Sequence, residues 1–281
     1  MRIYMQNKND KNYENMLNDL IQEVFGFSFE PWHRMNLWNE RYESYSIIEN
    51  EKMLSNVCIF KTDFILQGKS VQAHQLGAVA TRKDCRNKGY SRKLMQFIEE
   101  KYPQMPAFLF ANASVRDFYP QFGFKRVFGG VQKLEIEINN QLEAVKLSID
   151  DKRVADFIEN RKCFSNVTDC TNTQSVQMFH MLIDYPENIY YIPNVDVIVV
   201  AEQDGDRLFI ADIIAKKPIN FEDIKPFLPF SGIKQVEFGF SADWLGILEG
   251  WQKDGEESGL LFVRGNFNLP DLFKFPVMSE T

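Results

Sequence analysis

Between Arg82 and Lys93 the chain reads RKDCRNKGYSRK, six basic residues and one acid in a stretch that ends inside a helical pattern. Within it, Arg86, Asn87, Lys88, Gly89, Tyr90 and Ser91 form an RxxGxS loop. Beyond the loop Tyr90, Leu94, Phe97 and Ile98 recur at helical spacing, with Arg92, Lys93, Gln96, Glu99 and Glu100 on the other faces. A helix start presents backbone N–H groups without partners and the positive end of the helix dipole, which together suit a phosphate. Gly89 lets the backbone turn sharply and approach an anion with no Cβ in the way. Lys88, Arg92 and Lys93 are placed to meet outlying phosphates, and Arg86 either contacts a phosphate or braces the loop. Taken alone, the pattern also fits a basic helix cap with a solvated face.

The rest of the composition narrows the chemistry. The 281 residues are 44% hydrophobic and 25% charged, which suits a globular protein of two modest domains. The formal charge is −7, and since the basic stretch contributes +5, the remainder carries −12. One anion site on an acidic protein is the expected picture, and a nucleic-acid partner is not. Cys58, Cys85, Cys163 and Cys170 have no paired spacing and the three histidines do not join them, so neither a zinc site nor a disulfide framework is expected. Apolar runs are far shorter than the roughly 20 residues of a membrane span. The opening MRIYMQNKNDKN lacks an apolar core behind its charges, which gives the expectation of a cytoplasmic protein without a membrane partner.

The elements that position the loop follow from periodicity. Arg2 to Gln6 reads as a strand, Tyr13 to Phe25 as an amphipathic helix, and Trp32, Met35, Trp38 and Tyr42 as a second, aromatic-rich helix ending near the strand-like Tyr45 to Glu49. Met53 to Leu66 and Val71 to Thr81 read as strands joined by a hairpin at Gln67, Gly68 and Lys69. After the basic loop and its helix, Ala107 to Ala111 reads as a buried strand, Val115 to Phe122 as a short helix, and Val131 to Ile138 as the strand that closes the unit. From Ala144 the order of elements starts again, but Ala215 to Asn220 reads AKKPIN, with no Gly-rich turn. The expected domains are residues 1–143, which hold the site, and 144–281, a non-catalytic and degenerate copy.

Taken together, Leu76 to Val79, the RxxGxS loop and the segment Phe118, Tyr119, Pro120, Gln121, Phe122, Gly123, Phe124 resemble the GCN5-related N-acetyltransferase (GNAT) family. The resemblance covers about residues 1–138 in element order and is most specific from Leu76 to Phe124. It implies an α/β (α+β) fold with a central mixed, mostly antiparallel sheet, here followed by a second, smaller GNAT-like α/β domain. The whole is similar to the multi-domain acetyltransferases related to the enhanced intracellular survival proteins, though shorter than those. It further implies acetyl-CoA as acyl donor, no metal, and a small-molecule or peptide amine as acceptor. The strand of Leu76 to Thr81, with Ala78, Val79, Ala80 and Thr81, would pair with the pantetheine arm. The loop from Arg86 to Ser91 would hold the pyrophosphate, with Asn112 at the end of the next strand beside the coenzyme. Ser91 departs from the usual Gly or Ala, a change the helix start tolerates.

The reaction so implied is direct attack of a neutral amine on the thioester, with a backbone N–H near Val79 or Ala80 for the oxyanion and Tyr119 as general acid. A base is not evident. The family often carries a carboxylate where this chain has Gln75, and an amide cannot take a proton. His74, which would point to the other face of the strand, Glu30, His33 and ordered water are the alternatives. Trp32, Trp38 and Tyr42 fit a core stripe better than an acceptor pocket. A covalent route through Cys85 is disfavoured because no histidine is near in sequence. A protein that holds acyl-CoA as a sensor or scaffold without turnover is the alternative function. The oligomeric state, a homodimer included, is left open.

Overall fold

The apolar stretch from Lys52 to Thr81 folds as one long hairpin, and the first sheet grows from it. In the computed structural model, which describes residues 2–6, 10–255 and 260–281, strands β1 (Ile3–Met5), β2 (Tyr42–Glu49), β3 (Lys52–Leu66) and β4 (Lys69–Thr81) pair antiparallel in sequence order. Helix α1 (Lys11–Phe25) starts at Asp10, whose carboxylate accepts from Tyr13 N at 3.0 Å, and stops at Gly26, which is left-handed with φ 83°. It buries Tyr13, Leu17, Leu20 and Ile21 against Met53 and Ala80. Helix α2 (Glu30–Arg34) is only five residues long, shorter than the aromatic helix expected. Asn36 takes φ 56°, which ends helical geometry before Trp38, and Tyr42 already opens β2.

Helix α3 (Tyr90–Lys101) and strand β5 (Ala107–Phe110) follow, β5 running parallel to β4. The helix expected over Val115 to Phe122 is instead two 3₁₀ turns, Ala113–Val115 and Tyr119–Phe122, the second carrying Pro120 and ended by Gly123 at φ 75°. Strands β6 (Lys125–Arg126), β7 (Gly130–Ile138) and β8 (Val145–Lys146), helix α4 (Lys152–Asn160), strand β9 (Thr168–Thr171) and helix α5 (Gln174–Ile183) come next. They are followed by β10 (Ile189–Ile192), β11 (Val197–Asp204), β12 (Arg207–Ala215), helix α6 (Phe221–Ile224), β13 (Ile233–Phe238), β14 (Trp251–Lys253) and β15 (Leu261–Arg264).

These strands make two mixed, mostly antiparallel sheets. The first has the order β1-β2-β3-β4-β5-β15-β6, with β9 also pairing β3, and the second β14-β7-β13-β12-β11-β10-β8. The strand expected at Val131 to Ile138 therefore exists but does not close the first sheet. It lies in the second, antiparallel to β13 from Ile138↔Ile233 to Gln132↔Phe238. The place beside β5 is taken by β15, from Ala107↔Arg264 to Phe110↔Leu261. β5 is short and its side chains are mostly buried, so a free edge there would leave backbone donors and acceptors without water or partner.

The exchange is reciprocal. In the first sheet β2, β3 and β4 run antiparallel, β5 joins β4 parallel, and β15 joins β5 antiparallel. In the second, β10, β11 and β12 run antiparallel, β13 joins β12 parallel, and β7 joins β13 antiparallel. The two sheets repeat one topology, and each takes its last partner from the other half of the sequence. A buried arginine adds a polar link between them, since Arg161 bonds Asp212 on β12 and lies 3.5 Å from Asp169 on β9. A fragment of residues 1–143 lacks β15 and leaves β5 and β6 without their shared partner, so it is expected to be molten or insoluble. Near-UV circular dichroism and amide NMR dispersion check this, and a cooperatively folded fragment would contradict it.

Candidate active site

Parallel pairing between β4 and β5 consists of His74↔Ala107 and Gln75↔Phe108. Past Gln75 the two strands part, and the edge of β4 from Leu76 to Thr81 turns toward a cavity of about 900 Å³. The same stretch carries a β-bulge. Register with β3 shifts between Asn56↔Ala80 and Cys58↔Gly77, so Ala78 and Val79 together face Val57. Ala78 adopts φ 46°, and its carbonyl accepts from Asn56 Nδ2 at 3.2 Å. A bulge takes one residue out of the ladder and aims its backbone elsewhere, here along the cavity wall.

The basic loop closes one end of the cavity. Asn87 and Gly89 both take left-handed conformations, φ 62° and 82°, and a Cβ on Gly89 would meet open space. Its glycine thus answers to the backbone turn. Gly89 is also the N-cap of α3 and supplies no side-chain cap, so the first N–H groups of the helix face outward unshielded. The brace under the loop is Arg82 rather than Arg86. Buried Arg82 donates to Met53 O at 2.7 Å and to Glu23 at 2.6 Å, and Glu23 also accepts from Lys83 N. Ser91 bonds Thr81 Oγ1 at 2.6 Å, and Thr81 bonds Ser55 at 2.8 Å, which fixes the start of α3 to the end of β4.

Of the residues singled out in the sequence, Ala78, Val79, Thr81, Arg86, Asn87, Gly89, Tyr90, Ser91, Asn112 and Tyr119 all line this cavity. Ala80 and Lys88 do not. Ala80 packs under α1, and Lys88 stands exposed on the loop. Arg92 lines the cavity while bonding Gln121. Tyr119 is 5% exposed, with its ring against Phe118 and Phe262, and burial raises its phenol to about 12. Cys85 is buried, and burial together with neighbouring Asp84 raises its thiol, the opposite of what a nucleophile needs.

The base candidates read from sequence lie elsewhere. Burial lowers His74 to about 4, and its ring stands edge-on to Tyr102 outside the cavity. His33 is also lowered by burial. Glu30 pairs with Arg34 on the exposed side of α2. Gln75, with its amide oriented to satisfy its neighbours, donates to Ser279 O at 3.0 Å and accepts from Thr281 N at 2.6 Å. It therefore grips residues 279–281, and that segment brings a carboxylate that sequence reasoning missed. Glu280 lines the cavity, and burial raises it to about 7 despite the lowering effects of Lys274 and His180. His180 Nε2 donates to its backbone oxygen at 2.7 Å. Gly77 makes room for this segment, because a Cβ there would meet Thr281 atoms at 2.8–3.0 Å. No sequence periodicity links positions 75 and 280, so only the folded chain shows the pair.

The far end of the cavity is aromatic. Phe27, Phe29, Trp32, Trp38 and Tyr42 line it together with Phe179 of α5. Of the two readings of Trp32, Trp38 and Tyr42, core stripe and pocket lining, both hold, since they are packed on one another and form the cavity wall at once. Trp32 sits 4.7 Å from Tyr42 and 5.6 Å from Phe179 between centroids, and its indole N–H donates to Ser175 O of α5 at 2.8 Å. The second half of the sequence therefore supplies part of the wall.

With this geometry established, comparison with known proteins is informative. A family model described as an acetyltransferase (GNAT) domain matches residues 7–127. No curated protein matches the sequence. Among solved structures, a conserved protein of unknown function from Enterococcus faecalis V583, a probable N-acyltransferase, superposes with TM-score 0.61 at 15% identity over 94% of this chain and 71% of that one. The Eis1 protein of Mycobacterium abscessus gives 0.57 at 11% over 85% and 66%, and a GCN5-related N-acetyltransferase from Anabaena variabilis 0.54 at 15% over 94% and 72%. At these identities the structures speak for the fold, which is the GNAT fold with a second GNAT-like unit. Replacement of Gln75 by Leu should cost about 1–3 kcal/mol by leaving two backbone groups of the terminal segment unpaired. Hydrogen exchange over residues 277–281 should accelerate with it, and unchanged protection there would contradict the anchoring role.

Proposed function

This chain carries a GNAT acetyltransferase domain, and we propose that it moves an acetyl group from acetyl-CoA to a primary amine by direct transfer in a ternary complex. The observation that carries the reading is one cavity in which the open edge of β4, the uncapped start of α3, the Tyr119 phenol and the Glu280 carboxylate all meet. Arg86, Asn87, Gly89, Tyr90 and Ser91 hold the pyrophosphate at the helix start, with Arg92 beside them. The edge from Leu76 to Thr81 pairs with the pantetheine arm as an added strand. A backbone N–H at the Ala78–Val79 bulge receives the developing oxyanion, a contribution of about 3 kcal/mol in a dry cleft.

Glu280, poised near neutrality, takes the proton of the incoming ammonium, and the neutral nitrogen attacks the thioester carbon. As the C–S bond breaks, Tyr119 gives its proton to the sulfur, and it regains one from the acylated nitrogen. Its raised pKa keeps the phenol protonated at pH 7, and the burial that raises it also raises the basicity of a thiolate leaving in the same cavity.

Acetyl-CoA should raise the melting temperature, and Gly89→Asp should abolish the shift by setting a carboxylate and bulk against the phosphates. No shift in the wild type at saturating acetyl-CoA would remove the assignment. Tyr119→Phe should keep the shift and lose thiol release by about 100-fold or more. Because Glu280 acts as the carboxylate, the rate should fall as pH drops through about 7. Glu280→Gln should lower the rate and flatten that limb. An unaltered limb in the Gln variant would exclude Glu280 as base.

A further inference from the structure

We propose that the acceptor is a primary amine with one positive charge and an aromatic or long aliphatic body, as distinct from a polycation or a polyhydroxylated amine. This rests on the acetyl-transfer reading above and names the class of molecule that reaches the same site. Three observations carry it. The wall away from the basic loop is apolar, built from Phe27, Phe29, Trp32, Trp38 and Tyr42 and closed by Phe179 of α5. Among the described residues lining the cavity, Glu280 is the one carboxylate side chain. The other charged side chains of the lining are Arg86 and Arg92, of the opposite sign.

A single ammonium has one carboxylate side chain to pair with here, and each further charge would trade its water for ring faces without a carboxylate or be set toward a guanidinium. Hydroxyl groups fare little better, because the rings offer them few partners. An apolar body gains from the same wall, and an amine at its end reaches Glu280 and the thioester carbon. The partly exposed ring of Phe179 is the side chain through which the second half enters this choice.

The test is thiol release from acetyl-CoA by the full chain with 2-phenylethylamine, tryptamine and hexylamine against spermidine and kanamycin. The apolar amines should exceed the polycations in kcat/KM by about 10-fold or more. Phe179→Ala should raise KM for 2-phenylethylamine about 10-fold with the acetyl-CoA melting shift intact, which certifies its fold, and Phe179→Leu should recover most of the loss. A preference for spermidine or kanamycin overturns the proposal. So does an acetyl-CoA shift accompanied by neither turnover nor a further shift with any apolar amine, and in that case coenzyme binding stands. Absence of any acetyl-CoA shift removes the underlying reading and this inference with it.

Discussion

The constraint on which this structure turns is that a sheet cannot split without giving its freed backbone groups new partners. β4 and β5 share only two paired residues before they part, and the edge of β4 that emerges carries a bulge with a left-handed alanine. In an ordinary core, N–H and C=O groups so exposed would be a defect costing about 1–3 kcal/mol each. Here they border a cavity open at the basic loop, and an extended ligand arm with its own amides can complete the ladder. The bulge, the wedge and the helix start are three consequences of one departure from regular pairing.

The second half shows what happens when the same wedge closes. β12 has a matching register shift at Val200/Ala201 and runs on past Ile210, its last pair with β13. In this wedge the terminal segment takes the place a ligand would need. Val277 N donates to Gly239 O at 2.9 Å, a Cβ on Gly239 would meet Val277 at 2.7 Å, and Met278 packs in one cluster with Ala211 and Ile214. The connection from β12 to β13 holds the four-residue α6 and a 3₁₀ turn at Lys225–Phe227, where β4 and β5 are joined through the twelve residues of α3. A filled wedge and a shortened helix distinguish the second half from the first within the same topology. One short segment thus fills the second cleft with residues 277–278 and furnishes the first with Glu280.

Much of the structure around the basic loop was legible in the sequence because it is local. The strand to Thr81, the helix from Tyr90 and the strand from Ala107 follow from periodicity and turn residues within some forty positions, only the helix expected at Val115 to Phe122 being two 3₁₀ turns, and the loop, the splayed strand and Tyr119 converge on one cavity. What escaped was non-local. Strand β7 alternates like any half-buried strand, and nothing in its own residues says which sheet it joins. The pairing of β15 with β5 spans about 150 residues and depends on which edge lacks a partner. Likewise Gln75 reads as a missing base, whereas it holds the segment that brings a carboxylate in from position 280. The aromatic helix was misjudged for a related reason, since a helical spacing of Trp32, Trp38 and Tyr42 concealed the left-handed Asn36 that breaks it.

The division between local and non-local residues also divides the labour of the site. Groups around the basic loop come from a continuous stretch, fixed by the Ser91–Thr81 bond within it and by the bond from Arg82 to Met53 of β3 beneath it. Groups at the aromatic end come from α2, β2, α5 and the terminal segment, joined by the Trp32–Ser175 bond and by ring contacts about 5–6 Å apart. Substitution of Phe179 or Trp38 therefore reshapes the aromatic wall without touching the loop. A fold so arranged can hold the basic loop fixed while the aromatic end varies, because the reciprocal strands keep the two halves in register whatever rings line the space between them.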